Sequence, residues 1–278
     1  FTYNILNLQM KIISNKNKLV KIIRKERNLG FVPTMGGIHL GHVSMIKRSI
    51  NQCNKTLVSI FINKPQFDRK SDFKEYPRIL KKDISKLKRL KVDLLYLPKT
   101  NQIYPKGSNK NIRINSFGKK LCGKYRPWHF EAVADVIDRF IKIIRPKKIY
   151  FGEKDMQQLI IIDDFIKKNH SKIKVIPCKT IREKNGVALS SRNYLLSAKE
   201  KIIASKIFKL LFNKKKKLIK NKSSLKIVKR MIFTLGARKI DYIKVLDVNK
   251  LIVPFKWEKK YKIFIAYYLG STRLIDNI

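Results

Sequence analysis

A Rossmann-like, doubly wound parallel α/β sheet followed by a smaller C-terminal α+β domain is the architecture this 278-residue sequence predicts. Three observations lead there. Residues 30–54 read as strand, glycine turn and helix; apolar strand runs then alternate with helical periods as far as Pro177; and the pattern changes after about residues 181–185. We therefore expect one domain over residues 1–182 and a second over 183–278.

In chain order, Lys11 to Glu26 alternates apolar and basic residues at helical spacing and predicts an amphipathic helix. Gly30 to Val32 is a short strand closed by Pro33, and a helix is expected to start near Gly41 or His42. Thr56 to Ile62 reads as a buried strand, so strand, helix and strand imply parallel pairing with a right-handed crossover. The loop from Asn63 to Tyr76 falls at a strand's C-terminal end, the edge at which open α/β sheets bind ligands. Pro77 fits the first turn of a helix reaching about Leu90, and Val92 to Leu97 is a third strand. After a polar connection, Asn111 to Asn115 suggests an edge strand. Helices are expected at Phe130 to Ile144 and Met156 to Lys168, with strands at Lys148 to Phe151 and Lys172 to Pro177. In the second part, helices are read at Ser197 to Phe212 and Ser224 to Leu235, and strands at Asp241 to Leu246 and Tyr261 to Tyr268.

A hydrophobic content of 44% is that of a globular protein. The formal net charge of +46 would draw any polyanion. Its spread is diffuse, however, and accompanies an excess of Lys, Ile and Asn along the whole chain. Between Lys201 and Ile240 there are 14 Lys and Arg and no acidic residue, yet no aromatic residue interleaves with the lysine run Lys214 to Lys217 as a single-strand stacking platform requires. A solvated helical face accounts for that run better than a phosphate-facing lid. The three cysteines, Cys53, Cys122 and Cys178, form no metal or redox spacing and suit a reducing compartment. No apolar run reaches the roughly 18 residues of a membrane span, and FTYNILNLQM lacks the features of a signal peptide, so a cytoplasmic enzyme is expected.

The chemistry centres on residues 31–49. Backbone N–H groups and the dipole of the helix entrance favour a docked anion, with phosphate the natural candidate. His39 and His42, two of only four histidines, stand three apart at that entrance, where both imidazoles can reach one group. Half of a zinc site is the competing reading, but no cysteine or second histidine pair lies near in sequence. Gly152-Glu153-Lys154-Asp155 follows a strand, where a lysine can neutralise phosphate and a carboxylate can accept from ribose hydroxyls. Ser190, Ser191 and Arg192 add two hydroxyls and a permanent cation, although alone they read as a turn. Asn63 and Gln66 offer neutral amides suited to a hydroxy-acid.

The segment PTMGGIHLGH resembles the PTMG-x-L-H-x-G-H signature of the pantothenate synthetase (pantoate–β-alanine ligase) family, a branch of the HIGH-motif nucleotidyltransferases. SIFINKPQF, YPR, LCGKYRPWHF, YFGEKDMQQL, LSSRNYL and the final RLIDN extend the resemblance in the same order, from about Met10 to the end. It implies ATP-dependent condensation of pantoate with β-alanine through a pantoyl adenylate, with Mg²⁺, in a homodimer. It assigns ATP binding to Met35, Gly36, Gly37, Ile38, His39, Leu40, Gly41 and His42, to Gly152, Glu153, Lys154 and Asp155, and to Ile181, Leu189, Ser190, Ser191 and Arg192. His42, His39 and Lys154 would be catalytic, with His42 the proton donor, a role the residues alone do not separate from phosphate binding. Gln66 and Gln158 would bind pantoate, and Gln66 would border the β-alanine site. Tyr76, Arg126 and His129 match motif positions around the same cavity. Family chains start near Met10, so Phe1 to Gln9 is read as an extension or a misassigned start.

Three positions depart from the family pattern. Trp128 and Ala132 stand in RPWHFEAV where the family has RPGHF-x-GV, and Lys64 precedes Pro65 and Gln66. A ring at 128 is expected to narrow the loop or shift His129. Two other functions fit parts of the pattern: a nucleotidylyltransferase acting on a phosphorylated acceptor, which would need a basic acceptor pocket, and a basic nucleic-acid-binding protein, which would show salt-dependent oligonucleotide binding.

Overall fold

The structure, a computed structural model, describes residues 9–220, 224–248 and 261–278. Phe1 to Leu8, most of the expected N-terminal extension, lie outside these. The parallel half contains β1 (Lys11–Ile13), α1 (Lys16–Ile23), β2 (Leu29–Thr34), α2 (Leu40–Gln52) and β3 (Lys55–Ile60), then α3 (Lys70–Glu75), α4 (Leu80–Arg89) and β4 (Leu94–Tyr96). It continues through α5 (Thr100–Ile103), α6 (Cys122–Tyr125), α7 (His129–Ile144), β5 (Lys148–Gly152), α8 (Met156–Asn169) and β6 (Lys174–Cys178). The six strands are all parallel, in the order β1-β4-β3-β2-β5-β6.

Strand residues alternate between two buried faces. Phe31, Leu57, Ile149 and Phe151 join the core beneath α1, α7 and α8, whereas Val32, Val58, Leu95 and Tyr150 join that beneath α2 and α4. Burial on both faces is why these strands are short continuous apolar runs. Strand order reverses between β2 and β5, which pair directly through Gly30–Lys148 and Phe31–Ile149.

The C-terminal part comprises α9 (Ala198–Lys220), α10 (Ser224–Thr234) and the antiparallel strands β7 (Lys239–Asp247), β8 (Tyr261–Leu269) and β9 (Thr272–Asn277). β8 is also buried on both faces. Ile263, Ile265 and Tyr267 pack with Ile207 and Leu211 of α9, while Phe264 and Ala266 point into the core shared with α7 and α8.

Several expected elements are corrected. The helix expected at Lys11 to Glu26 is a strand, β1, then a helix capped by the Asn15 side chain, which accepts from the Lys18 N–H at 2.9 Å. No strand forms at Asn111–Asn115: the Asn109 side chain accepts from the Asn111 N–H and turns the chain, and Ile112 and Ile114 pack on the core from a loop. α4 begins three residues after Pro77. α9 runs through the lysines at 214–217, since lysine is a good helix former and nothing there breaks the helix. β9 was not anticipated.

The ring of Trp128 is 75% exposed and turns away from the cavity described below, so the expected narrowing is not seen. The cost falls on the backbone: Trp128 caps α7 at φ 64, ψ 0, the left-handed region that glycine enters freely and a side chain resists. Relief of that strain exceeds the added flexibility of the unfolded chain. Trp128→Gly is therefore expected to stabilise the protein by about 0.5–1 kcal/mol, read as a rise in the thermal midpoint; a fall would contradict this account.

Candidate active site

The C-terminal ends of β2 and β5, on either side of the strand-order reversal, open into one large cavity walled on its far side by the C-terminal sheet. Ligands bind at such a crevice in open α/β sheets. His39 caps α2: its Nδ1 accepts from the Gly41 N–H at 3.1 Å, and Nδ1 of His42 accepts from the His39 N–H at 3.4 Å. Both rings thus use Nδ1 as acceptor, which puts the hydrogen of the neutral ring on Nε2. The rings lie 4.0 Å apart between centroids and both line the cavity. A Cβ on Gly41 would come within 2.8 Å of the His39 ring, so only glycine allows this cap. Burial, then the Lys154 charge, lowers the pKa of His39 to about 4; burial and the neighbouring His39 lower that of His42 well below its usual value. Near neutral pH the pair consists of uncharged N–H donors.

The glycine turn before α2 is already occupied. The buried carboxylate of Asp83, from α4, accepts from the N–H groups of Gly37 and Ile38, each at 2.8 Å, and Thr34 Oγ1 accepts from the Gly36 N–H at 3.2 Å. Gly37 has φ +64, and a Cβ there would lie 3.0 Å from that of Ser191. The turn after β2 and the Ser190–Arg192 segment therefore pack directly against each other beside the cavity. Ser190 Oγ accepts from the Arg192 N–H, Ser191 Oγ is 3.1 Å from the Tyr76 hydroxyl, and Arg192 is held by Asp72 at 2.6 Å.

After β5, Lys154 Nζ is 3.2 Å from the Asp155 carboxylate, and both line the cavity with Gly152. Ile181 and Leu189 face each other across a tight loop, the Leu189 N–H donating to the Ile181 carbonyl at 3.0 Å. Met35, Gly41, Asn63, Gln66, Tyr76, Arg126, His129, Gln158 and Ser190 to Arg192 complete the expected residues that line it. Gly36, Gly37, Ile38, Leu40 and Glu153 do not. Ile38 is fully buried, and the Leu40 side chain is 64% exposed.

Gln66 is oriented from behind. Tyr104 donates to Asn63 Oδ1 at 2.7 Å, and Asn63 Nδ2 donates to Gln66 Oε1 at 3.0 Å, which leaves the Gln66 NH₂ to donate into the cavity. The Gln66 carbonyl accepts from Arg126 at 3.0 Å and from His129 Nδ1 at 2.8 Å. Burial and the Arg126 charge lower the pKa of His129 to about 3, and Arg126 is paired with Asp68 at 2.7 Å. These two residues build the loop that carries Gln66. Gln157, beside Gln158, is spent on the loop at 117–122. Sequence reasoning missed Asp83, Tyr104, Asp276 and Asn277, each joined to the site by a contact far along the chain. Among the described residues, no group of three or more His, Cys, Asp or Glu could hold a metal, and no helix is long and apolar enough to cross a membrane.

The arrangement defines an enzyme of the open α/β class, with neutral and cationic donors converging on one cavity at the strand-order reversal. The family model for pantoate-beta-alanine ligase matches residues 9–278, and the chain belongs to that family. It is similar to the pantothenate synthetase of Clostridium botulinum (strain Loch Maree), 38% identical over 276 residues that cover 96% of this chain and 98% of that one. Among solved structures it resembles pantothenate synthetase from Thermus thermophilus (TM-score 0.87, 29% identity, 97% and 99% covered). It also resembles pantoate-beta-alanine ligase from Francisella tularensis in complex with beta-gamma ATP and beta-alanine (TM-score 0.82, 34% identity, 97% of each chain).

The depressed histidines carry a pH signature. An unfolded chain takes up protons near pH 6.5 that native His39 and His129 refuse until about 4 and 3. Their contribution to stability is complete above pH 6.5 and declines as pH falls toward these values. Denaturant titrations should show stability dropping below pH 6.5, before the carboxylates titrate, with a shallower slope in His129→Gln; a flat profile from 6.5 to 5 would contradict the assignment.

Proposed function

We propose that this protein condenses pantoate with β-alanine at the expense of ATP, giving pantothenate, AMP and diphosphate through pantoyl adenylate. What supports the reading is a pair of neutral imidazoles after β2 and a lysine after β5, lining one cavity at the strand-order reversal, in a member of the pantoate-beta-alanine ligase family. The pantoate carboxylate attacks the α-phosphorus, and diphosphate leaves. The Nε2–H groups of His39 and His42, with Lys154, Ser190, Ser191 and Arg192, stabilise the charge growing on the phosphate oxygens. His42 acts as a hydrogen-bond donor, since burial keeps imidazolium scarce at neutral pH.

The uncharged amine of β-alanine then attacks the acyl carbon, and AMP leaves with its phosphate still held by the same donors. No covalent bond to the protein forms, so positioning and electrostatics carry the catalysis. Gln66 donates to pantoate, Gln158 lies across the same cavity, and Phe61, Val133 and Val136 offer an apolar wall suited to the two pantoate methyl groups. Gln66 also borders the β-alanine position. Ile181 and Leu189 suit the adenine, and Asp155 the ribose.

Mg²⁺ belongs to this reading as the partner of the triphosphate. Such an ion binds mainly through substrate phosphates and water, which fits a protein whose described residues form no metal cage. Of the two described carboxylates that line the cavity, Asp276 is held by Arg182 and Asp155 is given to the ribose, so the substrate phosphates themselves would hold the ion, which when bound would neutralise their charge. The reading also includes a cytoplasmic homodimer, with residues 1–182 binding ATP and pantoate and 183–278 acting as a lid.

Pantoate and ATP without β-alanine should release diphosphate, up to one equivalent per site when the adenylate stays bound. His42→Ala should lower that rate by roughly 10²–10³-fold. Full activity in this variant would overturn its role. Gln66→Ala should raise the KM for pantoate by roughly tenfold and leave that for ATP unchanged, as expected when one substrate hydrogen bond is lost.

A further inference from the structure

The last strand reaches the turn that carries Lys154. Asn277, 2% exposed at the end of β9, donates from Nδ2 to the carbonyls of Glu153 and Lys154, each at 2.8 Å. Its Oδ1 accepts from Lys262 Nζ of β8 at 2.8 Å. An ammonium can only donate and a carbonyl can only accept, so the orientation of the carboxamide is fixed from both ends. The strand end is itself anchored: Arg182 grips the Asp276 carboxylate with two N–H groups, at 2.7 and 2.9 Å, and donates to the Asn277 carbonyl at 3.1 Å. The Glu153–Asp155 turn is a single 3₁₀ turn between β5 and α8. Both carbonyls that Asn277 binds therefore belong to the short link that aims the Lys154 side chain.

We propose that Asn277 is a positioning residue for Lys154, holding the turn so that the ammonium meets the nucleotide phosphates, with Lys262 setting the direction of its amide. The inference rests on the ATP-binding role given to Lys154 above. It makes the C-terminal sheet a working part of the phosphate site, since a residue of β9 determines where a residue after β5 stands.

The test is a double-mutant cycle on pantoate-dependent diphosphate release, with thermal melts in parallel. Asn277→Asp keeps the shape, removes both donors and turns an acceptor toward two carbonyls. It should lower kcat/KM for ATP by roughly tenfold or more while leaving the KM for pantoate unchanged. In a Lys154→Ala background the same substitution should change kcat/KM for ATP less than about twofold, because the group it positions is gone. Lys262→Met should give a smaller loss in the same parameter, again absent without Lys154, and it serves where Asn277→Asp does not fold. An equal loss in both backgrounds, or an unimpaired Asn277→Asp beside a deficient Lys154→Ala, would overturn the inference alone. Unchanged turnover in Lys154→Ala would overturn the role of Lys154 and this inference with it.

Discussion

The parallel pairing of β2 with β5 is the constraint on which the site depends. Because the strand order reverses there, the segments leaving the two C-terminal ends diverge to opposite faces of the sheet and leave a crevice between them. One segment brings His39 and His42, the other Lys154 and Asp155. Residues more than 100 positions apart thereby line one cavity without any loop having to span it. The register is held by Phe31 and Ile149, both fully buried, so the geometry of the site is inherited from the core.

Around that crevice the protein settles the protonation of its histidines through the backbone. The cap of α2 uses Nδ1 of both imidazoles, and His129 uses Nδ1 as a donor to the Gln66 carbonyl while its Nε2 lies 3.3 Å from Arg126. The same residue type thus adopts opposite tautomers at two points of one cavity, each imposed by a main-chain partner. Burial removes the charge in both cases, and the positive charge of the site is left to lysine and arginine.

Much of this was legible in the sequence where local chemistry determines it. The β2–α2 unit, its histidines and the strand-to-turn placement of Lys154 follow from apolar runs punctuated by glycine and proline. β1 escaped because the three residues of KII read equally well as the first turn of the helix that follows. Asn111–Asn115 alternates like a strand, but its isoleucines anchor a loop. β9 was hidden because TRLIDN mixes charged and apolar residues, its Asp and Asn being drawn inward by Arg182 and the Glu153–Lys154 turn. Asp83, Tyr104 and Asn277 had no local signal, since what gives each its place is a partner dozens of residues away.

The carboxylate of Asp83 bears on how a nucleotide is received. Turn amides that in a glycine-rich phosphate loop would face the ligand are here already neutralised from within by an anion of the protein itself. The turn is tied to α4 and to Thr34 by these bonds before any substrate arrives, which lowers the entropy that recognition would spend on ordering it. The grip falls to side chains instead, and the helix mouth works as a fixed mount for two imidazoles more than as an amide cradle.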